Sequence, residues 1–178
     1  NWQMVVPLAA GTNVLTVTAR DRHGQPLPQA EATATVVYPG EVVSPEGWVV
    51  FSEILYAAPV PGAAFIELYN AHSNHAFDLS GWRINGLGYT FPSGTVLFPR
   101  SYLVLAEDPQ VYMQSYGRSP LPFDQYPGRL DVDGETLTLL RPDPASLDWV
   151  VVDRVRYETR PPWPVLTNGA SLQLIDPL

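Results

Sequence analysis

The chain has 178 residues, 46% hydrophobic and 16% charged, which suffices for a buried core and excludes disorder as its default state. A net charge of −8 argues against a nucleic-acid or anionic-membrane partner, since displacing condensed counterions takes Lys and Arg. Cysteine is absent, so there is no disulfide framework, thiolate metal site or Cys nucleophile, and no apolar run reaches the length of a membrane-spanning helix.

Position 1 is Asn rather than an initiator Met, and no basic-then-apolar signal pattern follows it; the chain is expected to be a piece of a longer protein. Period-2 patterning predicts three strands in the first forty residues, at 2–6, 13–19 and 31–38. Leu15, Val17 and Ala19 alternate with Val14, Thr16 and Thr18, and Ala32, Ala34 and Val36 alternate with Thr33, Thr35 and Val37. Each strand therefore has a greasier and a more polar face, as in a sheet covered on one side. Asp21 to Pro26 is a turn-rich connection. Three strands without an opposing sheet are marginal, so residues 1–40 are expected to dock by β-addition or by a homotypic contact.

Pro39, Gly40, Pro45 and Gly47 mark a linker over residues 41–47. Beyond it, strands are predicted at 48–56, 64–69, 82–84, 95–98, 102–106, 136–141, 149–157 and 171–175. About eight short strands punctuated by 19 Pro and 13 Gly is the rhythm of a β-sandwich. Aromatic girdles and even up-down spacing, the marks of a membrane barrel, are missing. One helix is predicted, over 109–116, with Asp108 as its cap, Pro109 at its first position and Gly117 at its end.

A series of motifs then runs in order through residues 48–178: Val50-Phe51-Ser52-Glu53-Ile54-Leu55-Tyr56, Phe65-Ile66-Glu67-Leu68-Tyr69-Asn70, Asp78-Leu79-Ser80-Gly81-Trp82-Arg83-Ile84, Tyr89-Thr90-Phe91-Pro92-Ser93-Gly94-Thr95, Ser101-Tyr102-Leu103-Val104-Leu105-Ala106, Gly134-Glu135-Thr136-Leu137-Thr138-Leu139-Leu140, Val152-Asp153-Arg154-Val155-Arg156-Tyr157, Trp163-Pro164 and Gly169-Ala170-Ser171-Leu172-Gln173-Leu174-Ile175. Together they resemble the bacterial lamin tail domain. Gln173 departs from the pattern, since most members carry an acidic residue there. The resemblance implies an all-β, immunoglobulin-like β-sandwich and a non-catalytic module of a large exported or cell-surface bacterial protein. Its partners would be proteins or neighbouring domains of the same chain. Residues 1–40 look like the last strands of a bacterial Ig-like domain, making a three-strand appendage before the sandwich. Nuclear filament biology does not carry over, because no coiled-coil rod or basic targeting run is present.

Three carboxylates stand at apolar strand positions. By simple alternation Glu53 shares a face with Val49, Phe51 and Leu55, Glu67 with Phe65 and Tyr69, and Asp153 with Val151, Val155 and Tyr157. A buried carboxylate needs hydrogen bonds or a cation, so these three are read as structural ties to backbone N–H groups or to Arg83, Arg154 or Arg156. The competing reading is a catalytic pair or hard-metal site. Both faces are apolar, so the inward side stays unassigned.

Asp131-Val132-Asp133-Gly134-Glu135 resembles the opening of a calcium loop, and Asp131 and Asp133 are its candidate ligands. The twelfth position is Pro142 rather than Glu, and Asp133-Gly134 reads more simply as a hairpin turn. His72 and His75 form a loop HxxH without a third ligand. No nucleophile elbow, phosphate loop or dinucleotide fingerprint occurs, and no cofactor is expected apart from calcium in the alternative reading. Tyr112, Tyr116, Phe123 and Tyr126, in the longest irregular stretch, are the candidate aromatic platform for a ligand. A carbohydrate- or calcium-binding accessory module of an exported enzyme is the alternative function. All ten basic residues are Arg, which fits a GC-rich genome or selection for guanidinium–carboxylate pairing.

Overall fold

The computed structural model describes residues 6, 8, 10–143, 145–164, 166 and 169–176. They fall into two compact units, residues 1–43 and 44–178. The first contains an antiparallel ribbon of β1 (Gly11–Arg20) and β2 (Pro26–Tyr38). Its turn is closed by the Asp21 carboxylate, which accepts the backbone N–H groups of His23 and Gln25 at 2.8 and 2.9 Å. The register sets Leu15 opposite Ala34 and Val17 opposite Ala32, while Thr16 faces Thr33 on the other side. The strand expected at 2–6 lies, apart from Val6, outside the described residues.

The second unit is a β-sandwich. Its first sheet has the order β10-β9-β4-β3-β13, built from β3 (Val49–Leu55), β4 (Phe65–Asn70), β9 (Tyr102–Ala106), β10 (Pro122–Gln125) and β13 (Leu172–Gln173). The second has the order β12-β11-β6-β7, from β6 (Arg83–Asn85), β7 (Tyr89–Thr90), β11 (Gly134–Pro142) and β12 (Trp149–Glu158). A two-stranded ribbon of β5 (Phe77–Asp78) and β8 (Val96–Leu97) completes the unit. Ile66, Leu68 and Leu105 on one sheet and Ile84, Leu137 and Leu139 on the other are fully buried and form the inner layer.

Three short strands go beyond the sequence reading. β5 and β7, of two residues each, carry too little alternation to register. β10 runs parallel to β9, an arrangement that needs a long crossover. Helix α1 (Pro109–Tyr116) supplies it. Asp108 caps α1 by accepting the N–H groups of Gln110 and Val111, and Gly117 ends it by donating to the Met113 carbonyl. Pro122 is tolerated because β10 is an edge strand.

This helix explains why the first sheet is apolar on both faces. Tyr112 of α1 packs with Leu55, Phe65, Val104 and Ala106 on the outer face, while Ile54, Ile66 and Leu105 share the inner one. The sheet is therefore covered twice at one end and once at the other.

The hairpin expected at Asp133-Gly134 is corrected. The turn that joins β11 to β12 is at residues 143–148, where the Asp143 N–H donates to the Asp148 carbonyl. Gly134 instead opens β11 at φ 107°, with the Tyr157 carbonyl 2.7 Å from where a Cβ would stand. Glycine is needed there for close approach as well as for its dihedral.

Candidate functional site

The site is created by one extra residue. In β3 the register runs Phe51 opposite Leu68 and then Glu53 opposite Glu67, so Ser52 is a β-bulge. A bulge shifts the two-residue period, and everything beyond it changes face. Val49 and Phe51 therefore lie on the inner face, whereas Glu53, with Leu55, lies on the outer face beside Glu67. The face shared by Glu53, Val49 and Phe51 in simple alternation does not exist. A second bulge, at Val152 between the pairs Leu139–Asp153 and Leu140–Val151, likewise parts Asp153 from Val151 and leaves it with Val155 and Tyr157.

Glu53 and Glu67 are direct cross-strand neighbours at the end of the sheet that α1 leaves uncovered. With Ser52, Tyr102, Ser119, Pro120, Gln173 and Leu174 they line an open groove of about 530 Å³. Ser52 Oγ donates to Glu67 Oε1 at 2.8 Å, and Ser171 Oγ donates to Glu53 Oε1 at 2.5 Å. Tyr102, 55% exposed, stacks on Tyr69 with ring centroids 4.5 Å apart. Gln173 is paired with Glu53 on the far side.

Burial pushes the Glu67 carboxyl above its ordinary value of 4.5; the Ser52 hydrogen bond opposes the shift and the Glu53 charge adds to it. A carboxyl raised on folding contributes stability that is complete below its unfolded value and lost as pH rises through the folded one. Glu67→Gln keeps an acceptor for Ser52 while removing the like charge. It is expected to stabilise the protein at pH 7 by roughly 0.2–1 kcal/mol. Thermal unfolding at several pH values would measure this gain, which must vanish below about pH 4.5; an unchanged or lower midpoint at pH 7 sinks the argument.

Asp153 does different work. Its Oδ2 accepts the Phe51 N–H across the sandwich, and its Oδ1 accepts the Arg154 N–H, both at 2.8 Å. Burial raises its carboxyl pKa despite those two bonds. The arginines stand elsewhere: Arg83 lies over the Trp149 ring at 4.3 Å, and Arg156 pairs with Glu158 at 2.7 Å. Among the described residues none of Arg83, Arg154 and Arg156 forms an ion pair with Glu53, Glu67 or Asp153.

Asp131 and Asp133 shape the entry to β11. Asp131 Oδ1 accepts the Asp133 N–H, and Glu135 Oε1 accepts the Asp131 N–H and the buried Tyr157 hydroxyl. Among the described residues no group of three or more His, Cys, Asp or Glu side chains is arranged to hold a metal ion. His72 Nδ1 accepts the N–H groups of Asn74 and His75, fastening its own loop.

The four candidate aromatics do not make one platform. Tyr112 packs edge-on against Phe65 at 5.2 Å and is buried, as is Tyr126, while Tyr116 and Phe123 are exposed. Tyr112 faces the sheet because α1 must cover the apolar end of the outer face. The exposed aromatic that accompanies charge is Tyr102, which reads in the sequence as an ordinary strand residue. Only the register, which sets it beside Tyr69 and in the same row as Glu67, singles it out.

The family model described as Lamin Tail Domain matches residues 43–157 of the chain. No curated protein and no solved structure matches it.

Proposed function

Because the chain belongs to the lamin tail domain family, we propose that it is a non-catalytic interaction module of an exported or cell-surface bacterial protein, holding a protein partner or neighbouring domains in place. One observation carries the reading. The Asp153 carboxylate is committed to the backbone of both sheets, whereas Glu53 and Glu67, equally half-buried, lie with an exposed tyrosine on an open sheet face. That is a surface for contact rather than a closed reaction chamber.

Residues 1–40 belong to the same proposal as strands of a separate Ig-like domain. Their ribbon presents the row Leu15, Val17, Ala32 and Ala34, which suits a homotypic contact. Export rests on the resemblance of the motifs in residues 48–178 to bacterial lamin tail domains.

Cross-linking mass spectrometry on the protein in its native cells tests the reading. The chain has no Lys, so the reagent must target its carboxylates. Cross-links from residues 44–178 to another polypeptide or to a neighbouring domain are the expected result. Turnover of a glycan or phosphoester by the purified protein, abolished by Glu53→Gln or Glu67→Gln, would overturn it.

A further inference from the structure

We propose that the groove over Glu53 and Glu67 receives the guanidinium of an Arg side chain presented by a partner polypeptide. The inference rests on the module reading above and names the chemistry of the partner.

Three features point to a cation. Two carboxylates at directly opposed cross-strand positions repel each other, and the register holds the backbones of Glu53 and Glu67 opposite one another. Among the described residues, none that lines the groove is basic. Each carboxylate spends one oxygen on a serine hydroxyl, Ser52 on Glu67 Oε1 and Ser171 on Glu53 Oε1. The two Oε2 atoms are left without a hydrogen bond among the described residues.

The groove selects among cations. Calcium takes six to eight oxygen ligands and draws chiefly on carboxylates, and among the described residues no third acidic side chain joins Glu53 and Glu67. A guanidinium is a planar fork of five N–H donors that stacks on aromatic faces, whereas an ammonium is a compact, strongly hydrated charge. Tyr102, exposed on one face and held by Tyr69 on the other, is a rigid stacking surface for such a plane. Pro120 and Leu174, also on the lining, supply apolar contact for the aliphatic stem.

The test is an amide chemical-shift titration of the protein with acetyl-Gly-Ser-Arg-Gly-Ser-amide at low salt. The same peptide with citrulline or Lys in place of Arg, and calcium chloride, serve as parallel probes. The expected result is saturable shifts confined to residues 52–54, 66–68, 102–104, 119 and 172–174. Binding by the citrulline peptide should be weaker by about tenfold or more. The double variant Glu53→Gln/Glu67→Gln should lose the response while its melting temperature stays at or above the parent's. Tyr102→Ala should weaken Arg binding more than Lys binding.

Equal binding of citrulline, shifts elsewhere, or a response that survives in the double variant would overturn the proposal. So would calcium saturating the same amides and displacing the peptide, or self-association that the double variant abolishes. Absence of peptide binding alongside intact cross-links to a partner would remove the groove and leave the module reading standing.

Discussion

Asn70→Ala is expected to cost about 3–4 kcal/mol of folding stability, the larger of two effects that follow from buried polar ties. Asn70 is the last residue of β4 and has no exposure to solvent. Its Nδ2 donates to the carbonyls of His75 and Leu97 at 2.8 and 3.1 Å, and its Oδ1 accepts the His72 N–H at 2.9 Å. One side chain thus fastens β4 to the following loop and to β8. Alanine removes the partner of three backbone groups at once, and each orphaned group costs about 1–3 kcal/mol when water cannot reach it. Two of these groups are near enough to the surface to recover part of that.

Asn70→Asp separates hydrogen bonding from volume. It keeps the acceptor for His72 but aims an oxygen at two carbonyls, so it should be at least as damaging as alanine at pH 7. Its folded state would favour the protonated acid, which can donate, so part of the loss should return as pH falls. Urea unfolding with an unchanged m-value is the measurement. A loss below about 1 kcal/mol for Asn70→Ala would show that this side chain does not hold the loop.

Asp153→Ala is expected to cost about 2 kcal/mol. The residue joins β12 of one sheet to the bulge of β3 in the other through the Phe51 N–H. Hydrogen bonds to a charged acceptor are worth about 1.5–3 kcal/mol each, but burial of the charge opposes them here, as the raised carboxyl indicates. Asp153→Asn retains an acceptor and sheds the charge, so it should lie within about 1 kcal/mol of the parent at pH 7.

The pH dependence follows from the direction of the shift. Because the Asp153 carboxyl is raised above its ordinary 3.8, its contribution is complete below that value and lost as pH rises through the folded one. The Asn variant should therefore compare less well with the parent as pH falls toward 3.8. Denaturant midpoints at three pH values check this. An alanine variant as stable as the parent would mean that Phe51 finds another acceptor and that the cross-sheet tie is idle.

The sequence by itself determined the class, the family and most strand positions. Those signals are local: alternation over five to ten residues, Pro and Gly between them, and a capped helix at 109–116. They survive because each strand must bury one side whatever its neighbours are. The acidic residues at apolar strand positions were also legible, since a carboxylate among Val, Ile and Phe violates the pattern on sight.

Which side those carboxylates face was decided by tertiary structure. A bulge at Ser52 and another at Val152 reset a period of two, and nothing in the composition of either strand reveals the extra residue. Glu53 was thereby turned out to meet Glu67, and Asp153 stayed inside to meet Phe51. The same holds for the aromatics. Tyr112 and Tyr116 lie one turn apart on one helix face and both meet Phe65, yet the first is buried and the second exposed, because Tyr116 is the last residue of α1. Faces, crossovers and bulges depend on partners distant in the chain, 102 positions for Asp153 and Phe51 and 118 for Ser171 and Glu53. A groove made of such partners becomes visible only when the strands are paired.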